Sequence, residues 1–99
     1  MFAAMIREET RRLLEPAVAE LISAGAREIY LFGSAARGAS VEAGADLDLA
    51  VAGLPPKVFY RTLGRVMRRV GCPVDLVDLD AATPFARFLR EKESLVRIG

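Results

Sequence analysis

Gly33-Ser34-Ala35-Ala36-Arg37-Gly38, followed after a short gap by Ala45-Asp46-Leu47-Asp48-Leu49, is the stretch that decides the architecture. The apolar run at residues 28–32 reads as a short strand that ends at Gly33, and a glycine there turns the chain sharply while letting backbone approach a ligand closely. Residues 46–52 alternate in character, with Asp46, Asp48 and Ala50 on one face and Leu47, Leu49 and Val51 on the other. Aspartate disfavours strands, so two of them on one strand face need a reason that core packing does not supply.

Working outward, Phe2, Ile6, Leu13, Val18, Leu21 and Ile22 recur at helical spacing, and Gly25 supplies a stop, which predicts a helix over residues 3–24. Pro16 lies inside it and predicts a kink rather than a break, because the apolar phase persists on both sides. Downstream, Pro55-Pro56 opens a helix running to about Val70, with Val58, Phe59, Leu63, Val66, Met67 and Val70 as its inward stripe and Gly71 as its end. Residues 73–78 read as a third strand. Thr83-Pro84 is an N-cap followed by proline at the first helical position, and Phe85, Phe88 and Leu89 are expected to anchor a last helix. Residues 95–98 could add a short edge strand. The order helix, strand, strand, helix, strand, helix gives an α/β (α+β) layer fold: a small mixed sheet of three to four strands with helices packed on one face.

Composition bounds the rest. Ninety-nine residues, 53% of them hydrophobic, fit one compact domain over residues 1–99, with no internal repeat or linker. The longest uncharged run, residues 49–56, is far short of the ~20 residues of a membrane span, and the N-terminus interleaves Arg and Glu with apolar residues, unlike a signal peptide. A soluble, cytoplasmic protein is the expectation. Cys72 is the single cysteine and there is no histidine, which excludes an internal disulfide, a cysteine-based zinc site and the commonest general base. A formal net charge of +1 argues against direct nucleic-acid binding, which depends on neutralising many phosphates together.

The candidate chemistry follows from the strands. Asp46 and Asp48 project from one face. If the helix ending near Val70 returns the chain parallel, the third strand starts beside the second and Asp75 joins the pair, its neighbours Val74 and Leu76 facing the core. Three ionised carboxylates raise one another's pKa unless cations intervene. With oxygen donors alone, the cation expected is Mg²⁺, or Mn²⁺ as a substitute. Two such ions about 3.5–4 Å apart serve in-line displacement at phosphorus. The Gly33-Ser34 turn offers backbone N–H groups and a hydroxyl to a phosphate. Arg37, one turn on, is suited either to a phosphate oxygen or to tying the loop to an acidic partner.

At these residues the chain resembles the DNA polymerase beta-like nucleotidyltransferase superfamily, and in size its minimal nucleotidyltransferase, or MNT, group. That pattern is Gly-Ser, often continuing to Ala-Arg-Gly, then Asp-x-Asp on the next strand and a third acidic residue on a later one. Here Gly33, Ser34, Ala36, Arg37 and Gly38 match the first part, Asp46 and Asp48 the second, and Asp75 the third. Ala45 departs from it, since relatives often carry Ser there, which removes a supporting hydrogen bond but no metal ligand.

The resemblance implies a nucleotidyltransferase fold and transfer of a nucleoside monophosphate, AMP from ATP, with release of pyrophosphate. In that scheme Asp46 and Asp48 hold two Mg²⁺ ions, Asp75 holds one and takes the proton of the attacking hydroxyl, and Gly33, Ser34 and Arg37 bind nucleotide. It further implies that the acceptor lies on another molecule, in this group often a helical HEPN-domain RNase toxin, so that the chain is an antitoxin, and a protein adenylyltransferase, in a hetero-oligomer. Two other readings stand beside it: a non-catalytic antitoxin that covers its partner sterically, and a transferase acting on a small hydroxyl compound. Arg61, Arg65, Arg68 and Arg69 read as a solvated basic face, Asp78 and Asp80 as solvated strand-end residues outside the site, Cys72 as a small turn residue, and Tyr30 and Tyr60 as unconnected with catalysis.

Overall fold

Residues 6–99 are described by the computed structural model. Alternation of apolar and polar side chains produces four strands: β1 (Glu28–Phe32), β2 (Leu47–Ala52), β3 (Val74–Asp78) and β4 (Val96–Arg97). They form one mixed sheet in the order β3-β2-β1-β4, in which β2 runs antiparallel to β1 and parallel to β3, and β4 closes the far edge antiparallel to β1. The parallel step needs a crossover, and the chain makes it through a turn of 3-10 helix (Pro56–Val58) and the longer helix that follows.

The sheet's two faces carry different cores. Leu47, Leu49 and Val51 of β2, Ile29 and Leu31 of β1 and Val74 of β3 are buried beneath α1 (Glu8–Ser23) and α3 (Phe59–Val70). Each fully buried Leu or Val there contributes roughly 1.5–3 kcal/mol relative to exposure. The opposite face holds a smaller cluster of Phe32, Ala50, Ala52, Leu79 and Leu89, the last supplied by α4 (Pro84–Lys92). Helices therefore lie on both sides: α1 and α3 cover one face as expected, and α4 covers part of the other, because Ala50, Ala52 and Leu79 leave an apolar patch there that one small helix can seal.

Three helical stripes differ from expectation. α1 starts at Glu8, after extended Arg7, so residues 6 and 7 are outside it, although Ile6 is buried; residues 3–5 and Phe2 lie outside the described residues. The helix continues unbroken through Pro16 and buries Thr10, Leu14, Ala17 and Leu21, leaving Ile22 54% exposed. In α3, Val66 and Val70 are buried and Val58, Phe59 and Leu63 pack against the core as expected; the departures are Thr62, buried with its hydroxyl donating to the Val58 carbonyl at 2.7 Å, and Met67, which faces out. In α4 the anchors are Ala86 and Leu89; Phe85 and Phe88 are half exposed and stack on each other with ring centroids 6.3 Å apart. In each case the apolar set was wide enough for two neighbouring stripes, and the crossing of the helix on the sheet selected one. Thr83 caps α4 by accepting from the Ala86 N–H at 3.1 Å. Among the described residues, no helix is long and apolar enough to cross a membrane.

Candidate active site

Strand register assembles the site. In the β1–β2 ladder Phe32 stands opposite Asp48, which sets Gly33 next to the Asp48 side chain. Gly33 has φ +76°, a left-handed conformation that favours glycine. A Cβ at that position would overlap Asp48 Oδ2 and lie 3.1 Å from its Cγ, so the carboxylate rests directly on the bare backbone of the turn. On the other side β2 and β3 run parallel with Asp48 opposite Asp75, adjacent strands being about 4.8 Å apart. Asp46, just before β2, shares the parity of Asp48. The structure thus brings Asp46, Asp48 and Asp75 to one sheet face, with Asp46 and Asp75 exposed and Asp48 half-buried.

From Gly33 the chain makes one helical turn, α2 (Gly33–Ala36), whose buried Ala35 and Ala36 seat it against the sheet. The Ser34 carbonyl accepts from the N–H groups of Arg37 and Ala39, both at 3.0 Å, which tightens the turn around Arg37 and Gly38. So short a helix has little macrodipole, and attraction for an anion rests on its unpaired N–H groups. The loop leading to Asp46 is tied to the first helix and the residue before it: Arg7 Nε donates to the Gly38 carbonyl at 2.8 Å, and Ser40 Oγ donates to Glu9 Oε1 at 2.8 Å.

The carboxylates feel one another. Burial raises the pKa of Asp48 above the ordinary carboxylate value, and the charges of Asp75 and Asp46 raise it further; Arg37 pulls it down and Glu93 adds to the rise. Among the described residues no group of three or more acidic or cysteine side chains is gathered into a ready metal cage. The ladder sets the three aspartates on one face, and their like charges give the exposed pair no reason to close up. The donor set is oxygen throughout, which suits Mg²⁺ or Mn²⁺ and no softer ion. Cys72 is half-buried, its thiol pushed up in pKa by burial and then by the Asp46 charge, so it stays protonated.

Two acidic residues play parts that local sequence does not announce. Glu93, immediately after α4, brings a carboxylate oxygen within 4.0 Å of Arg37 Nη1. Asp80, expected as a merely solvated strand end, accepts from the Gly53 N–H at 2.7 Å and reaches Arg90 Nη2 at 3.3 Å, tying the end of β2 to α4. Neither had a local sequence signal: the Arg37 and Arg90 contacts depend on where α4 crosses the sheet, and the Gly53 contact on how the ends of β2 and β3 meet. The surface cleft of about 470 Å³ along α1, between Glu8, Leu14, Val18 and Ile98, includes none of the aspartates, which stand on an open face.

No protein-family model matches the chain, and no curated protein matches it. A solved structure described as that of a "putative minimal nucleotidyltransferase" is similar, with a TM-score of 0.69 and 28% identity over 93% of each chain. The mixed four-stranded sheet, the strand that ends in a glycine turn and the likeness over nearly the whole length agree with one another, and the chain has the fold of a minimal nucleotidyltransferase.

Proposed function

We propose that the chain is a Mg²⁺-dependent nucleotidyltransferase that moves AMP from ATP onto a hydroxyl of an acceptor protein, a HEPN-domain toxin, and so acts as its antitoxin. The observation that carries this reading is the register pairing Asp48 with Asp75, with Asp46 on the same face and the Gly33 turn pressed against Asp48. In the reaction an acceptor hydroxyl oxygen attacks the α-phosphorus of ATP, the bond from that phosphorus to the bridging oxygen of the β-phosphate breaks, and pyrophosphate leaves. Asp75, exposed beside Asp48, takes the hydroxyl proton. Asp46 and Asp48 would hold both ions and Asp75 one of them. Bound there, divalent cations neutralise the clustered carboxylates and the charge developing on the leaving pyrophosphate. The N–H groups of the turn, the Ser34 hydroxyl and Arg37 orient the triphosphate. Asp46 and Asp75 stand in open solvent, which suits an acceptor delivered on another molecule.

Incubation with α-labelled ATP, Mg²⁺ and the partner tests this. Label is expected on the partner, and Asp46→Asn is expected to reduce it about a hundredfold or more. Undiminished labelling by that variant would refute the ligand assignment. A second reading, a binding antitoxin without transfer, draws on the lack of a ready metal cage among the described residues. It predicts that Asp46→Asn still neutralises the partner.

A further inference from the structure

We propose that Glu93 is a positioning residue that holds the Arg37 guanidinium over the glycine turn, where it meets the phosphates of a bound nucleoside triphosphate; this rests on the nucleotidyltransferase reading of the site.

Glu93 leaves the last helix in an extended conformation, φ −93° and ψ 146°. Its side chain is only 27% exposed, whereas that of Arg37 is 63% exposed, so the acid is the fixed member of the pair and the arginine the mobile one. The backbone that carries Glu93 is itself fixed: Leu89 is fully buried, and Arg90 Nε donates to the Leu79 carbonyl at 2.9 Å. Both members lie within electrostatic reach of Asp48, with opposite effects on its proton affinity. A fourth negative charge beside three aspartates weakens the attraction of this face for a polyphosphate. Its placement is accounted for if it serves to restrict the long Arg37 side chain, which would otherwise surrender its rotamer freedom on meeting a phosphate. At 4.0 Å the pair is loose enough for a phosphate oxygen to draw the guanidinium across without breaking a tight bidentate contact.

Simple field and positioning predict opposite signs, and this makes the test sharp. Binding of ATP in the presence of Mg²⁺ is measured by titration calorimetry for the wild type and for Glu93→Gln, Glu93→Asp, Arg37→Ala and the Glu93→Gln/Arg37→Ala pair. Positioning predicts that Glu93→Gln raises Kd about three- to tenfold, that Glu93→Asp recovers part of the loss, and that Glu93→Gln adds nothing once Arg37 is gone. Thermal midpoints should match the wild type throughout, which separates positioning from a folding role. Unchanged or tighter binding by Glu93→Gln, or an equal loss in the Arg37→Ala background, overturns the inference while leaving the function standing. Wild-type protein that fails to bind ATP with Mg²⁺ overturns both.

Discussion

Asp48 carries its charge at a cost, because burial strips water from its carboxylate while Asp75 and Asp46 add like charge, with only Arg37 opposing. A carboxyl whose folded-state pKa lies above its unfolded value loses stability when ionised. The loss is complete above the folded value and fades as pH falls through the ordinary carboxylate range, near ~4. Asp48→Asn keeps the shape and removes the charge, so it should raise the thermal midpoint by about 2–5 °C at pH 7 in metal-free buffer. The gap to wild type should close as the pH is lowered toward ~4, and the same variant should lose transfer activity. A lower midpoint at pH 7 would show that Asp48 is stabilised by contacts rather than strained by its neighbours. At this scale much was legible: two-residue spacing on a strand put Asp46 and Asp48 on one face, and the apolar flanks of Asp75 put it on the same side. Glu93 was not legible, because it follows the last helix by one residue and meets Arg37 only through the way that helix lies across the sheet.

Among the elements, α4 links the second core to the site. Its Leu89 is fully buried against the sheet face that also bears the aspartates, and Glu93 begins the segment that leaves it. Leu89→Ala should cost about 2–4 kcal/mol of unfolding free energy in a denaturant titration, whereas Phe85→Ser, on the half-exposed side, should cost about 1 kcal/mol. A large loss from Phe85→Ser and a small one from Leu89→Ala would reverse the assignment of the helix's inner side. Phe85, Phe88 and Leu89 satisfy helical spacing as well as Ala86 and Leu89 do, and size favoured the aromatics. Packing turned Leu89 onto Phe32, Ala50, Ala52 and Leu79 and buried Ala86, which leaves both rings on the outer side of the helix. The same ambiguity explains Ile22 and Met67. Caps were easier to read, since Thr83 and Gly71 act through their own backbone neighbours: Thr83 accepts from the Ala86 N–H, and Gly71 adopts φ +77° while its N–H donates to the Met67 carbonyl at 2.9 Å.

For the whole molecule, a ligand that binds only the folded chain adds RT ln(1 + [L]/Kd) to its stability. On the proposed function, ATP with Mg²⁺ at about ten times its dissociation constant would contribute ~1.4 kcal/mol, roughly 6–10 °C in the midpoint for a chain this short. Asp46→Asn should abolish that rise in a thermal melt, and an equal rise in both proteins would place the ligand elsewhere. The parallel step of the sheet was legible from the helix between β2 and β3, which gives the crossover such a step needs, whereas the antiparallel pairing of β1 with β2 across residues 33–46 was not fixed by the length of that connection. What could not be read was that the sheet is covered on both faces, since that depends on small residues at the far end of β2 meeting a helix more than thirty positions later.

The connection Gly71, Cys72, Pro73 between α3 and β3 has a further consequence for how such chains can vary. Pro73 is pinned to β2, its carbonyl accepting from the Leu47 N–H at 3.1 Å, so the connection has no slack. A residue inserted there would advance β3 by one place, turning Asp75 inward and delivering Val74 to water. On the proposed reading, a change of one residue that the turn did not absorb would take Asp75 off the aspartate face and set the apolar side of β3 toward water, so parity here matters more than length.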